Sequence, residues 1–225
     1  MIDTLFGDPV VTVTATPAMF SGALLPEEAA CVERAVAKRR REFTAGRLCA
    51  REALAKLGVH GFPLVVGEAR VPVWPQDVVG SITHCAGYCG VAVARRGPVL
   101  GLGLDVERAE ALEPELLARI ATAEERRRLA DLPAREGSPD WGKLTFCAKE
   151  SFYKCYFPLA RAFLGFQDVE IAFEAEARRF RGRLLRADAP AVCGLRELEG
   201  RFAWSPELVF AGVTLAGPPE AVGIG

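Results

Sequence analysis

Four clusters in this 225-residue sequence have the residue types and spacing to do chemistry. The first is Gly101-Leu102-Gly103-Leu104-Asp105-Val106-Glu107. In a strand, residues two apart point the same way, so Leu102, Leu104 and Val106 share one face and Gly101, Gly103, Asp105 and Glu107 the other. Two carboxylates on one face repel unless something positive sits between them. A hard divalent cation such as Mg²⁺ takes oxygen ligands and keeps positions open for water or phosphate; the plainer reading is a strand end running into solvent. The second cluster covers residues 146–155. On a helix, Glu150 and Lys154 stand one turn apart, on the side that carries Phe146, Tyr153 and Phe157. There they are either functional groups or an ordinary exposed ion pair.

The third is a basic helix over residues 38–51. Val36, Phe43, Ala50, Leu54 and Leu57 form its apolar stripe, and Arg47 falls in the middle with Arg40 and Arg51 flanking it. A buried arginine needs a partner. An acidic side chain would serve, and a phosphate would serve better, because guanidinium binds it through two parallel hydrogen bonds. The run 38–41 by itself reads as a solvated face. The fourth is Gly80-Ser81-Ile82-Thr83-His84, where a histidine closing a strand either binds a phosphate through its ring nitrogens or is a satisfied structural histidine. Arg70, close to Gly67, adds an isolated base. No Walker loop, G-x-S-x-G, H-E-x-x-H or helix-opening G-x-G-x-x-G occurs. Three acids for one metal and several bases for phosphates describe metal-assisted chemistry on a diphosphate.

Periodicity and punctuation outline the elements that must hold these groups. Residues 10–15 alternate as a strand. Pro26-Glu27-Glu28 opens a helical region that reaches Leu57 and stops at Gly58. Strands are expected over 80–84, 90–95 and 99–106, with Arg96-Gly97-Pro98 turning between the last two. Helices follow over 121–130 and 141–157, then strands over 168–173, 179–185 and 208–215. Residues 132–139 and 216–225 read as loose. A faint repeat relates Leu48-Cys49-Ala50-Arg51-Glu52-Ala53-Leu54 to Phe146-Cys147-Ala148-Lys149-Glu150-Ser151-Phe152, each preceded by a Glu-Glu pair, at 27–28 and 124–125. Two similar halves would leave a cleft between them for a ligand.

Composition narrows the class. Half the residues are apolar and a quarter charged, enough for a real core. With 28 basic and 29 acidic residues the net charge is -1, which argues against a nucleic-acid or membrane-surface binder. No run of 18 apolar residues occurs and the N-terminus lacks a basic n-region, so a cytoplasmic protein is expected. Seven cysteines without a C-x-x-C read as buried thiols rather than a disulfide framework or a zinc site, and Cys85 and Cys89 beside His84 are no exception.

In this order, the segments resemble the Sfp-type 4′-phosphopantetheinyl transferases, nearest the enterobactin synthase component D branch. The residues that carry the likeness are Arg41-Glu42-Phe43, Ala45-Gly46-Arg47, Arg51-Glu52-Ala53-Leu54, 70–75, 80–84, 101–107 and 146–154. The resemblance implies an α+β fold of two pseudo-twofold halves, each a helix packed on an antiparallel sheet, with residues 1–103 on the 3′-phosphate and adenine side and 104–225 on the metal and pyrophosphate side. It implies coenzyme A as co-substrate and Mg²⁺, or Mn²⁺, on Asp105, Glu107 and Glu150. It places Arg47, His84 and Arg40 on the 3′-phosphate, Arg70 and Thr83 at the adenine, and Lys154 and Lys149 on the transferred phosphate; Arg51 is added from helix geometry. The implied reaction moves phosphopantetheine to a serine of an apo acyl, peptidyl or aryl carrier, as in siderophore, polyketide or nonribosomal peptide synthesis, and releases 3′,5′-ADP. Glu150, a metal-held water or Glu125 would take the serine proton. A monomer is expected. Two other readings stay open: a non-catalytic module binding coenzyme A or a carrier protein, and a metal-dependent diphosphate hydrolase.

Overall fold

The structure is a computed structural model that describes residues 1–85, 87–134 and 136–218; the end of the loose stretch expected at 216–225 thus lies outside the described residues. Alternating Val and Thr build β1 (Val11–Thr14), which pairs with β3 (Tyr88–Arg95), and β3 in turn pairs with β2 (Val78–Cys85), all antiparallel. Strands β4 (Val99–Arg108), β5 (Val169–Glu174), β6 (Arg179–Leu184), β7 (Glu197–Trp204) and β8 (Leu208–Ala216) make a second antiparallel sheet in the order β4-β8-β7-β6-β5.

Helices α1 (Pro26–Ala30) and α2 (Ala37–Lys56) serve the first sheet, and α3 (Pro114–Ile120), α4 (Ala123–Ala130) and α5 (Trp141–Ala160) the second. The small buried residues Ala45, Cys49, Ala50 and Ala53 let α2 lie close on Val13, Val91 and Val93. On the other side of the molecule, Leu144, Cys147, Phe152 and Tyr156 of α5 pack on Ile171, Phe180, Phe202 and Val213. Between these layers Leu102, Leu104 and Val106 of β4 meet Ala92 and Ala94 of β3, which is the face split expected from strand alternation.

The two sheets meet at a polar seam. One edge of β4 pairs with β8. Along its other edge, the Leu104 N–H donates to Ser81 Oγ at 3.0 Å and the Val106 N–H to Thr83 Oγ1 at 3.0 Å, so side chains of β2 satisfy backbone donors that would otherwise be buried and unpaired. The face of β4 opposite the leucines carries glycines because α5 lies directly on it: a Cβ on Gly103 would come within 1.8 Å of Ser151 O. That approach brings Lys154 to Asp105.

Three differences from the sequence reading have physical causes. The helical region expected from residue 26 breaks between α1 and α2, so Val36 is an N-cap at 72% exposure, not part of the buried stripe. Helix α3, mostly exposed, carries too little apolar periodicity to stand out. Strand β7 was not anticipated, although Leu198, Gly200 and Phe202 alternate inward; its acidic and basic outward residues mask the pattern. Residues 103 and 104, at the expected division between halves, lie within β4.

Candidate active site

A cleft of about 320 Å³ opens between α2 and α5 with β2 as its floor. Helix α2 contributes Arg39, Glu42, Phe43 and Arg47; β2 contributes Ser81, Ile82 and His84; α5 contributes Glu150, Tyr153, Lys154 and Phe157. Exposed Arg70, in a left-handed conformation (φ 64°), stands at the rim.

At the β4 side Asp105 is buried, 4% exposed. Its Oδ1 accepts from Lys154 Nζ at 2.7 Å and from Thr83 Oγ1 at 3.2 Å, and Lys154 also donates to Leu104 O at 3.1 Å. Its Oδ2 is buried with no partner. Burial pulls Lys154 down, but the Asp105 carboxylate and its hydrogen bond outweigh that and hold the ammonium above its usual range. Glu107 is pushed up to about 7, first by burial and then by the charge of Asp105. The same two causes raise Glu150. Glu107 and Glu150, whose ionisation the charge of Asp105 opposes, form with it a donor set for a cation. Among the described residues no three such side chains form a ready-made metal cage, yet the all-oxygen donor set and the orphaned Asp105 Oδ2 fit a hard divalent ion.

At the α2 side Arg47 is 5% exposed, its guanidinium 3.9 Å from the centroid of the Phe43 ring. Its Nε has no hydrogen-bond partner, and no carboxylate pairs with it among the described residues. Burial lowers its pKa to about 10, so the group stays charged at neutral pH. Such a charge in a cleft is prepared for an anion. His84 lines the same cleft, with Arg39 Nη1 3.0 Å from Nε2 and Glu42 Oε2 3.7 Å from Nδ1.

Several residues expected here do other work. Arg40 turns away and donates to Glu33 O at 2.8 Å; the residue of that run that reaches the cleft is Arg39, on the same face as Phe43 and Arg47 at i, i+4 and i+8, a spacing that could have identified it. Arg51 binds Glu28 Oε2 at 2.7 Å. Lys149 is buried and spends its three donors on Glu125 Oε2 (2.7 Å), Ile120 O (2.9 Å) and Phe166 O (2.6 Å). Glu125 also accepts from the N–H groups of Thr122 and Ile171, each at 2.6 Å. Lys149 has no donor left for a substrate phosphate, and Glu125 is buried and holds three donors of its own half. Thr83 faces the seam and holds Asp105 rather than lining the cleft. Glu42 was read only as part of a motif; its place against His84 is a tertiary fact that spacing does not carry.

The faint repeat has a structural counterpart. Glu28 accepts from the Leu25 N–H (3.0 Å), the Leu64 N–H (3.1 Å) and Arg51. Glu125 does the same with Thr122, Ile171 and Lys149. In each half a helix-opening glutamate thus ties a short helix, a long helix and an extended segment together.

A family model described as "4'-phosphopantetheinyl transferase N-terminal domain" matches residues 27–94, and one described as "4'-phosphopantetheinyl transferase superfamily" matches residues 101–203. The chain is 44% identical over 197 residues to 4'-phosphopantetheinyl transferase Svp of Streptomyces mobaraensis, a match that covers 87% of this chain and 80% of the relative. It is 41% identical over 197 residues to 4'-phosphopantetheinyl transferase PptT of Mycobacterium tuberculosis, covering 85% and 86%. It is also 40% identical over 119 residues to enterobactin synthase component D of Escherichia coli, covering 52% and 54%.

Proposed function

The chain belongs to the 4′-phosphopantetheinyl transferase superfamily, and on that premise we propose that its cleft holds coenzyme A while a serine of an apo carrier protein takes the phosphopantetheine. It is an enzyme of the 4′-phosphopantetheinyl transferase class, with carrier proteins as its acceptors. The observation that carries the residue assignment is Arg47, a buried and charged guanidinium without a carboxylate, in a cleft also lined by Lys154, the partner of Asp105.

Arg47, with His84 and Arg39, would take the 3′-phosphate, and Arg70 at the rim would border the adenine. Asp105, Glu107 and Glu150 would hold Mg²⁺, which when bound supplies positive charge to the pyrophosphate oxygens. The serine oxygen forms a bond to the β-phosphorus, the pyrophosphate P–O bond breaks, and 3′,5′-ADP leaves with the electron pair. Lys154 offsets the charge that spreads over the phosphoryl oxygens. With Glu125 committed to three hydrogen bonds, Glu150 or a metal-held water would accept the serine proton. We place the enzyme in the cytoplasm as a monomer; its seven free cysteines fit a reducing compartment, and no helix among the described residues is long and apolar enough to cross a membrane.

Mass spectrometry of an apo carrier incubated with the protein, coenzyme A and Mg²⁺ tests the reading. The carrier should gain one phosphopantetheine, and Asp105→Asn should abolish the gain. Free phosphopantetheine without carrier labelling would point instead to a diphosphate hydrolase.

A further inference from the structure

We propose that Glu42 is a positioning residue that sets the tautomer of His84 and makes coenzyme A binding take up a proton at that ring. This deepens the assignment of His84 to the 3′-phosphate and rests on it. A guanidinium has donors and no acceptor, so the Arg39 Nη1 contact at 3.0 Å requires a lone pair on His84 Nε2. The proton of the neutral ring therefore sits on Nδ1, the nitrogen 3.7 Å from Glu42 Oε2.

A phosphomonoester well above pH 6 brings no proton of its own. Its oxygens cannot bond the Nε2 lone pair, and a neutral ring that moved its proton to Nε2 would turn the Nδ1 lone pair towards the Glu42 carboxylate, so the ring holds the phosphate by gaining a second proton, at Nε2, from solvent. Arg39 is then released from the ring and turns its donors to the phosphate. The imidazolium formed lies between two anions, the phosphate at Nε2 and Glu42 at Nδ1.

The groups facing His84 come from three elements: Arg39 and Glu42 on α2, Asp105 on β4 and Lys154 on α5. Burial favours the neutral ring; Glu42 and Asp105 work against that, and Arg39 and Lys154 reinforce it. Of the two carboxylates, Asp105 is already paired with Lys154, whereas Glu42 is half-buried and its recorded ion pair is with His84. Glu42 is thus the charge available to support the protonated ring.

Titration calorimetry of coenzyme A at pH 8, in buffers of different ionisation enthalpy, reads the proton count directly. The wild type should take up about one proton per coenzyme A bound, and coenzyme A lacking the 3′-phosphate should take up none. Glu42→Gln should bind about tenfold more weakly at pH 8, its affinity profile displaced about one pH unit downward. It should approach wild-type affinity in acid, and Glu42→Asp should recover most of the profile. Wild-type binding without proton uptake would overturn the proposal, as would a Glu42→Gln profile matching the wild type while His84→Gln weakens binding. His84→Gln binding coenzyme A as tightly as the wild type would instead remove the phosphate assignment beneath it.

Discussion

A residue whose burial has no internal justification is the strongest functional signal in this chain. Arg47 is 5% exposed with an unpartnered Nε, and its desolvation is compensated in part by the Phe43 ring. Replacing such a charge by an apolar side chain of similar reach often stabilises a fold. Arg47→Met is therefore expected to raise the unfolding free energy by about 1 kcal/mol and to weaken coenzyme A binding about thirtyfold or more, the cost of losing a charged partner. Thermal melts and calorimetry on one sample would check both. A simultaneous fall in stability would mean that Arg47 has a structural partner instead. Arg47, Glu150 and Lys154 line the cleft as the period of their own helices suggests. That Arg39 lines it rather than Arg40 is hidden in the sequence, because four consecutive bases mask the helix phase. The pairing of Lys149 with Glu125 joins α5 to α4, which no local pattern records.

At the scale of elements, the site depends on how closely α5 approaches β4. Gly103→Ala would put a methyl group against Ser151 O and lift the helix, breaking the Lys154–Asp105 pair. A loss of about 3 kcal/mol or more is expected, at the upper end of overpacking costs, together with loss of transfer activity. The Glu125 lock makes a sharper distinction. Glu125→Ala leaves Lys149 buried without its carboxylate and should cost about 3–5 kcal/mol. Glu125→Gln should keep a near-wild-type kcat on the folded fraction, measured as carrier turnover beside a denaturation curve. A large fall in kcat at unchanged stability would make Glu125 the proton acceptor after all. Most of the strands were legible because Val-rich alternation and Gly or Pro turns bound them. β7 was not, since charged residues fill its outward positions, and neither was the break before α2, where Val36 keeps a helical look while capping the helix from outside.

On the scale of the whole molecule, two similar halves meet at a seam whose polar residues also build the site. Thr83 satisfies the Val106 N–H and braces Asp105, so Thr83→Val should both destabilise the protein, by about 1–3 kcal/mol for an orphaned buried donor, and lower kcat. The expectation of two halves came from a seven-residue echo. Its physical content, the paired glutamate locks, becomes visible only when Leu64 and Ile171 are seen to supply the matching N–H groups. The central claim is that one cation, held by Asp105, Glu107 and Glu150, meets the pyrophosphate of the same bound coenzyme A whose 3′-phosphate is held by Arg47 and His84. A crystal grown with coenzyme A and Mn²⁺, read by anomalous scattering, tests it most directly. A single metal peak about 2.1 Å from oxygens of the three carboxylates, with the 3′-phosphate on Arg47 and His84, is the expected result. A metal bound away from Asp105, or a 3′-phosphate away from Arg47, would contradict it.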